Sequence, residues 1–367
     1  MDIDSILTFA VKQKVSDVHI TVGLPPVFRM HGEMVPATEP PLAEQTIGAA
    51  WAQVLTPDDT ARIMGQLLND KQRATFERAG DLDFAYAIPA IGRFRVNCYR
   101  QRGSVGMVIR VIPFYVPTFE ELNLPPILAT FARRTSGLVL VTGPTGSGKS
   151  TTLTAMIDLI NKERAAHIIT LEDPIEFLHP HIKSVVNQRE VGLDTESFAK
   201  ALRAAMRQDP DVLLVGEMRD LETISTAITA AETGHLVFAT LHTNDAVQTI
   251  DRVIDVFPPS QQAQIRVQLA AVLQAVVSQQ LIPRMDGRGR VVAQEILVVT
   301  HAVRNQIREG KSHQIVSTLQ TGSKMGMQTM DMALRALIAK RMVTAQEAMK
   351  RSADPEAFQR YIMHDFM

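Results

Sequence analysis

The chain has 367 residues, of which 46% are hydrophobic and 21% charged, with a formal net charge of −1. This is the balance of a folded globular protein long enough for two domains, and it excludes collagen-like and disordered classes. The near-neutral charge provides no global basic field for nucleic acid, and the single cysteine, Cys98, excludes an internal disulfide and a four-cysteine zinc site.

The chain opens with Met1-Asp2-Ile3-Asp4, which lacks the basic region of a signal peptide, and no apolar run reaches membrane-spanning length. A cytosolic protein is expected, with membrane contact only through partners. Ile6, Leu7, Ala10 and Val11 share a helical face, and Val18, Ile20 and Val22 alternate as a strand, closed by Gly23-Leu-Pro-Pro26. A helical middle follows near residues 44–78. Leu82, Phe84, Tyr86 and Ile88 then alternate, turn at Pro89-Ala-Ile-Gly92, and are answered by Phe94, Val96 and Cys98, which predicts a hairpin with Cys98 as a small buried strand residue. A third run, Met107 to Ile112, extends this antiparallel sheet. Pro113, Pro117, Pro125 and Pro126 predict an extended linker over 113–126, between a domain of residues 1–112 and another of 127–367.

Beyond the linker, apolar runs at Leu138–Thr142, His167–Leu171, Val212–Val215 and Leu236–Leu241 alternate with helical patterns, the order of an α/β domain with a mainly parallel sheet. The uncharged stretch Val267 to Pro283, broken by Gln268, Gln274, Gln279 and Gln280, suits an amphipathic helix. Past Val291–Val298 the pattern is helical to the end, and the scattered Met325, Met327, Met330, Met332 and Met342 read as core filling.

Residues 143–150, Gly143-Pro144-Thr145-Gly146-Ser147-Gly148-Lys149-Ser150, form a complete G-x-x-x-x-G-K-[ST] phosphate loop between a predicted strand and a predicted helix. Its glycines let the backbone approach phosphates and turn N–H groups inward at a helix N-terminus. Lys149 is expected to reach the β- and γ-phosphates of ATP and Ser150 to place its hydroxyl on Mg²⁺. Hydrolysis also needs a metal-side acid and a group acting on water. Asp211-Val-Leu-Leu-Val-Gly-Glu217 ends an apolar strand in a carboxylate, which makes Glu217 the metal-side acid. Ile169 to Glu176 ends another strand with Glu172, Asp173 and Glu176, where ligands of α/β sheets bind. His235 and His242 bracket a third strand an odd number of steps apart, so they face opposite sides and do not easily chelate one metal, and His242 is placed to sense the γ-phosphate. His179 and His181 look like a metal pair but read as polar surface.

Taken together, Gly143 to Thr151, Glu172-Asp-Pro-Ile-Glu176, Gly216-Glu-Met-Arg-Asp220 and His235 to Thr243 resemble, in order and spacing, the Walker A, Asp, Walker B and His boxes of the secretion and type IV pilus ATPases. Ser16 to Ile20, Gly23 to Pro26 and Gly92 to Asn97 resemble that family's PAS-like N-terminal domain, so the resemblance covers nearly the whole chain. It implies an α/β fold: a RecA-like P-loop ATPase core with a parallel-rich sheet, preceded by a smaller PAS-like α+β domain. It further implies that Glu176 is the general base, that Glu217 lies on the magnesium side, that His235 and His242 are the paired His-box positions, and that Arg95 and Arg110 reach nucleotide in a ring. On sequence alone the two arginines read as surface charge. Within the family the chain resembles the pilus retraction branch: it lacks the extra N-terminal domains and zinc-binding cysteines of assembly and secretion ATPases. Ala302-Val-Arg-Asn-Gln-Ile-Arg-Glu309 is similar to that branch's C-terminal AIRNLIRE box, departing at Val303 and Gln306. The implied protein is a homohexameric, ATP-hydrolysing motor at the cytoplasmic face of the bacterial inner membrane, working on the platform protein and pilin machinery. The alternatives are a close paralogue or another member of the family in assembly or secretion, and, less favoured, a DNA-translocating ATPase.

Overall fold

A computed structural model describes residues 2–365 apart from residues 31, 47, 48, 113, 114 and 288. It divides into two compact units, residues 1–115 with 176–178, and residues 116–175 with 179–367. Pro113 of the expected linker lies outside the described residues.

The first unit runs α1 (Ile3–Lys12), β1 (Asp17–Ile20), β2 (Val27–Met30), β3 (Glu33–Pro36), α2 (Ala43–Thr46), α3 (Pro57–Leu67), α4 (Asp70–Ala79), β4 (Asp81–Ile88), β5 (Gly92–Gln101) and β6 (Ser104–Ile112). The helices start where capping chemistry dictates: Asp2 caps α1, and Thr56 with Asp59 and Asn69 with Gln72 form capping boxes on α3 and α4. The six strands pair antiparallel in the order β3-β2-β1-β6-β5-β4. On β5, Phe94, Val96 and Cys98 are fully buried, and α1 adds Ile6, Leu7 and Ala10 to the same core. Burial pushes the Cys98 thiol up to about 12, an inert packing residue as expected. Val22 lies in a turn beyond β1, and the sequence reading missed the hairpin of β2 and β3. Those strands are four residues each, hemmed by Pro25, Pro26 and Pro36, and too short to show a period of two.

The second unit runs α5 (Ile127–Ala132), β7 (Gly137–Thr142), α6 (Lys149–Glu163), β8 (His167–Glu172), β9 (Val185–Glu190), α7 (Phe198–Ala205), β10 (Val212–Val215), α8 (Leu221–Glu232), β11 (Leu236–Leu241), α9 (Ala246–Asp255), α10 (Pro259–Val272), β12 (Leu273–Pro283) and β13 (Arg290–Val298). It ends in helices: α11 (His301–Arg308), α12 (Ile315–Thr321), α13 (Met330–Ala339), α14 (Ala345–Met349) and α15 (Pro355–Asp365). Its sheet order is β13-β12-β7-β11-β10-β8-β9, parallel throughout except for the edge strand β13. β7, β10 and β11 are buried along their whole length, which is why they read as unbroken apolar runs. The stretch Val267–Pro283 is not one helix: α10 ends at Val272 and β12 takes the rest. β12 is buried over most of its length, so its β-branched run shows no alternation, and the buried Gln279 among its glutamines faces polar partners. Among the methionines Met327 and Met330 are buried, whereas Met325 and Met332 are exposed, so core filling describes only part of the set. Among the described residues no helix is long and apolar enough to cross a membrane.

Candidate functional site

The phosphate loop leaves the carboxyl end of β7 and enters α6, the strand–loop–helix context that the motif requires. Gly143, at φ 141°, is closed against β12: a Cβ there would stand 2.3 Å from the Gln279 carbonyl oxygen. Pro144, Thr145 and Gly146 are exposed at the rim, while Ser147 and Lys149 are buried and Ser150 and Thr151 half-buried. Lys149 Nζ donates to the carbonyl oxygens of Gly143 at 2.8 Å and Pro144 at 3.1 Å, so the ammonium lies folded over the loop it serves. Ser147 Oγ is buried with no hydrogen-bond partner. A glycine-shaped cradle, a buried ammonium and an orphaned hydroxyl fit a phosphate chain, and the Ser150 hydroxyl at the first turn of α6 fits a hard cation beside it. Among the described residues no three His, Cys, Asp or Glu side chains gather as a metal cage. A magnesium site built on nucleotide phosphates needs none.

β11 lies between β7 and β10, and its register sets Leu241 against Thr142 and Ala239 against Val215. The segment after β10 is fixed by Gly216 N–H to the Leu171 carbonyl at 2.7 Å and Met218 N–H to the Thr240 carbonyl at 3.0 Å. Gly216 tolerates no side chain, since a Cβ would meet Leu171 O at 2.9 Å. The structure therefore brings Glu217 and His242 to the sheet edge that carries the phosphate loop, with His242 Nε2 3.2 Å from Glu217 Oε1. Arg219 Nη2 donates to Glu217 Oε2 at 2.6 Å. Burial alone would push the Glu217 carboxyl up, but the hydrogen bonds from Arg219 and His242 outweigh it and hold the group below the usual carboxylate range. Glu217 is thus kept ionised, as a cation-side acid must be.

The remaining expected residues are placed differently. Glu172 accepts hydrogen bonds from Thr170 Oγ1 at 2.6 Å and Gln188 Nε2 at 3.1 Å, and Glu176 is exposed in the loop after β8. His235 is not brought to the loop: it precedes β11 at the opposite end, beside Gly137, with Nδ1 2.8 Å from the Ala230 carbonyl. The intervening strand puts it roughly 20 Å from the phosphate end. Arg95 and Arg110 are direct cross-strand neighbours on β5 and β6. Arg110 Nε donates to the buried Asp17 at 2.9 Å, and Arg95 Nε lies 3.8 Å from Asp83. His179 is buried rather than on the polar surface, and His181 Nδ1 accepts from the Val186 N–H at 3.0 Å, so the two histidines serve separate local roles.

The sequence reading missed a cavity of about 320 Å³ beside the loop, lined by Leu122, Leu124, Thr151, Leu281, Arg284 and Arg290 among others. Its apolar walls, cationic rim and place against α6 suit a nucleoside. Such residues carry no motif, because an apolar wall and a core position look alike in sequence.

A family profile described as type II/IV secretion system protein matches residues 118–288. The type IV pilus retraction ATPase PilT of Pseudomonas aeruginosa is 49% identical over 98% of this chain and 100% of its own. The type IV pilus ATPase PilU of the same organism is 41% identical over 95% of this chain and 88% of its own. The crystal structure of the pilus retraction motor PilT with bound ADP superposes with a TM-score of 0.87 at 47% identity, over 98% of this chain and 99% of that one. The ATPase DotB of Legionella pneumophila superposes at 0.75 with 27% identity, over 94% of each chain. With its P-loop core and smaller N-terminal domain, the chain belongs to the type II/IV secretion ATPase family.

Proposed function

We propose that the protein is a homohexameric, Mg²⁺-dependent ATPase motor that drives type IV pilus retraction from the cytoplasmic face of the inner membrane, acting on the platform protein and pilin. The observation that carries this reading is the complete phosphate loop with buried Lys149, set on the same sheet edge as an ionised Glu217, in a chain similar to PilT along its whole length.

The residues take distinct roles in that reading. Gly143, Pro144, Thr145, Gly146, Ser147, Gly148, Lys149, Ser150 and Thr151 hold the triphosphate, with Lys149 leaving its loop carbonyls for phosphate oxygens. Ser150 and Glu217 hold the magnesium side, Glu217 through water, and His242 orients Glu217 from β11. Magnesium supplies charge neutralisation at the β- and γ-oxygens when bound. Glu176 takes a proton from the attacking water, and Arg95 and Arg110 supply the cations that stabilise the transition state, exchanging Asp83 and Asp17 for phosphate. Residues 1–112 form the PAS-like domain, 113–126 the linker and 127–367 the motor domain. His235 keeps only a structural part, bonded to the end of α8.

The purified full-length chain is expected to hydrolyse ATP in a Mg²⁺-dependent manner that DNA does not stimulate, and a deletion strain is expected to be hyperpiliated and to fail to twitch. A DNA-stimulated rate would favour a translocase. Normal pilus length and twitching in the deletion strain would end the retraction reading.

A further inference from the structure

Gln279 lies in the middle of β12, 1% exposed, among the buried apolar residues Val276, Val277 and Ile282. A primary amide in such a place is costly unless its hydrogen bonds are made, and here they go to the phosphate loop, to the first turn of α6 and to one further amide. Its Nε2 donates to the Ser147 carbonyl at 2.9 Å, and its Oε1 accepts from Thr152 Oγ1 and Gln294 Nε2, each at 3.0 Å. Ser147 and Thr152 flank Lys149 and Ser150, so one side chain grips the loop on one side of those residues and the first turn of α6 on the other. The backbone oxygen of the same residue is the atom that closes against Gly143. Gln294, also 1% exposed, sits on β13, and its carbonyl accepts from Gln328 Nε2 at 2.7 Å, immediately before the Thr329 cap of α13.

We propose that Gln279 is a positioning residue for the phosphate loop, and that the chain from the buried Gln279 and Gln294 to the half-buried Gln328 fastens that loop to the C-terminal helices. The inference rests on the reading of the loop as a nucleotide site. The amide orientation is forced: only nitrogen can face the Ser147 carbonyl, and only oxygen can receive both Thr152 and Gln294. The loop is thereby held in its cradle shape before nucleotide arrives, which spares the ligand the cost of ordering it.

The test uses the full-length chain with Gln279→Met, which keeps volume and loses the amide, and Gln279→Glu, which keeps the acceptor and loses the donor while ionised. A fluorescent ADP analogue gives Kd, ATP hydrolysis gives KM and kcat, and thermal unfolding checks the fold. Gln279→Met is expected to bind nucleotide about tenfold more weakly and to show a matching rise in KM. Gln279→Glu is expected to bind weakly at about pH 8.5 and to return to within about threefold of the parent near pH 6, where the neutral carboxyl donates to Ser147 again. Glu121, Arg284 and Arg290 border the same cavity, so each value is read as a ratio to the parent at the same pH. Parental Kd and KM in a folded Gln279→Met variant overturn the proposal, as does a Gln279→Glu ratio that stays flat with pH. If Gln279→Met does not fold, the Gln279→Glu profile decides. Failure of the nucleotide reading itself shows in the parent, as absence of binding or hydrolysis.

Discussion

In the proposed mechanism Lys149 neutralises phosphate charge and Glu176 acts on water, so the two are expected to separate binding from chemistry. Lys149→Ala loses about 10²-fold or more in both ATP affinity and turnover, whereas Glu176→Gln keeps affinity and loses about 10²–10⁴-fold in kcat. A Glu176→Gln protein hydrolysing ATP near the parental rate would remove Glu176 from the base role. His179 gives a second, independent prediction. Burial lowers its pKa from 6.5 to about 4, so the unfolded chain binds the extra proton between those values. Stability is therefore full above pH 6.5 and declines as pH falls toward 4, by about 2–3 kcal/mol from this group. Thermal unfolding across that range should show a shallower acid decline in His179→Gln than in the parent; equal slopes would contradict it. Residues of this kind mark the limit of sequence at this scale. Gly143, Lys149 and Glu217 were legible because their chemistry demands fixed types at fixed spacing. His179 and Gln279 were not, because the first owes its role to burial in the folded chain and the second to a neighbour 132 residues away.

At the scale of elements, the strands that read clearly are those whose burial is uniform or cleanly alternating, such as β5, β7 and β11. β9 was missed because it is an edge strand in which only Val186 and Glu190 are buried, so its sequence is mostly polar. α11 lies in the stretch that reads as helical past Val298, and Thr300 caps it, with Val303 and Ile307 buried and Ala302 exposed. The polar Gln306, where the similar box has an apolar residue, is accommodated by Thr318 of α12, whose Oγ1 lies 2.9 Å from Gln306 Nε2. Replacing Gln306 with Leu would strand only one hydroxyl, and should leave thermal stability within about 1 kcal/mol of the parent. The opposite face of α11 presents Arg304, half-buried, and the exposed Arg308, which pairs with Asn305. An arginine pair away from the nucleotide residues suits transmission of motion to a partner. Arg304→Ala with Arg308→Ala is expected to leave ATPase rate and assembly within about twofold of the parent while abolishing retraction in cells. Normal twitching in that strain would refute the coupling role, and lost hydrolysis or assembly would make the segment part of the motor's own fold.

For the whole molecule, the proposed mechanism draws residues from both compact units. The larger carries the phosphate loop, Glu217 and the cavity beside the loop, and the smaller carries Arg95 and Arg110 as cross-strand neighbours. Two guanidiniums on adjacent strands repel, and each is accompanied by a carboxylate of its own sheet, Asp83 for one and Asp17 for the other. In the proposed mechanism the pair exchanges these carboxylates for a triphosphate, an anion of higher charge than one carboxylate. Arginines delivered this way stabilise phosphoryl-transfer transition states by about 10³–10⁵-fold in other systems, which is enough to tie turnover to domain position. If the arginines serve the nucleotide of a neighbouring subunit, activity must be recoverable from two dead proteins. Arg95→Ala and Lys149→Ala subunits, each inactive alone, should regain measurable hydrolysis when co-assembled, because some interfaces then join an intact loop to an intact arginine. Mixed rings confirmed by mass, yet still inactive, would place Arg95 with the loop of its own chain or outside catalysis altogether.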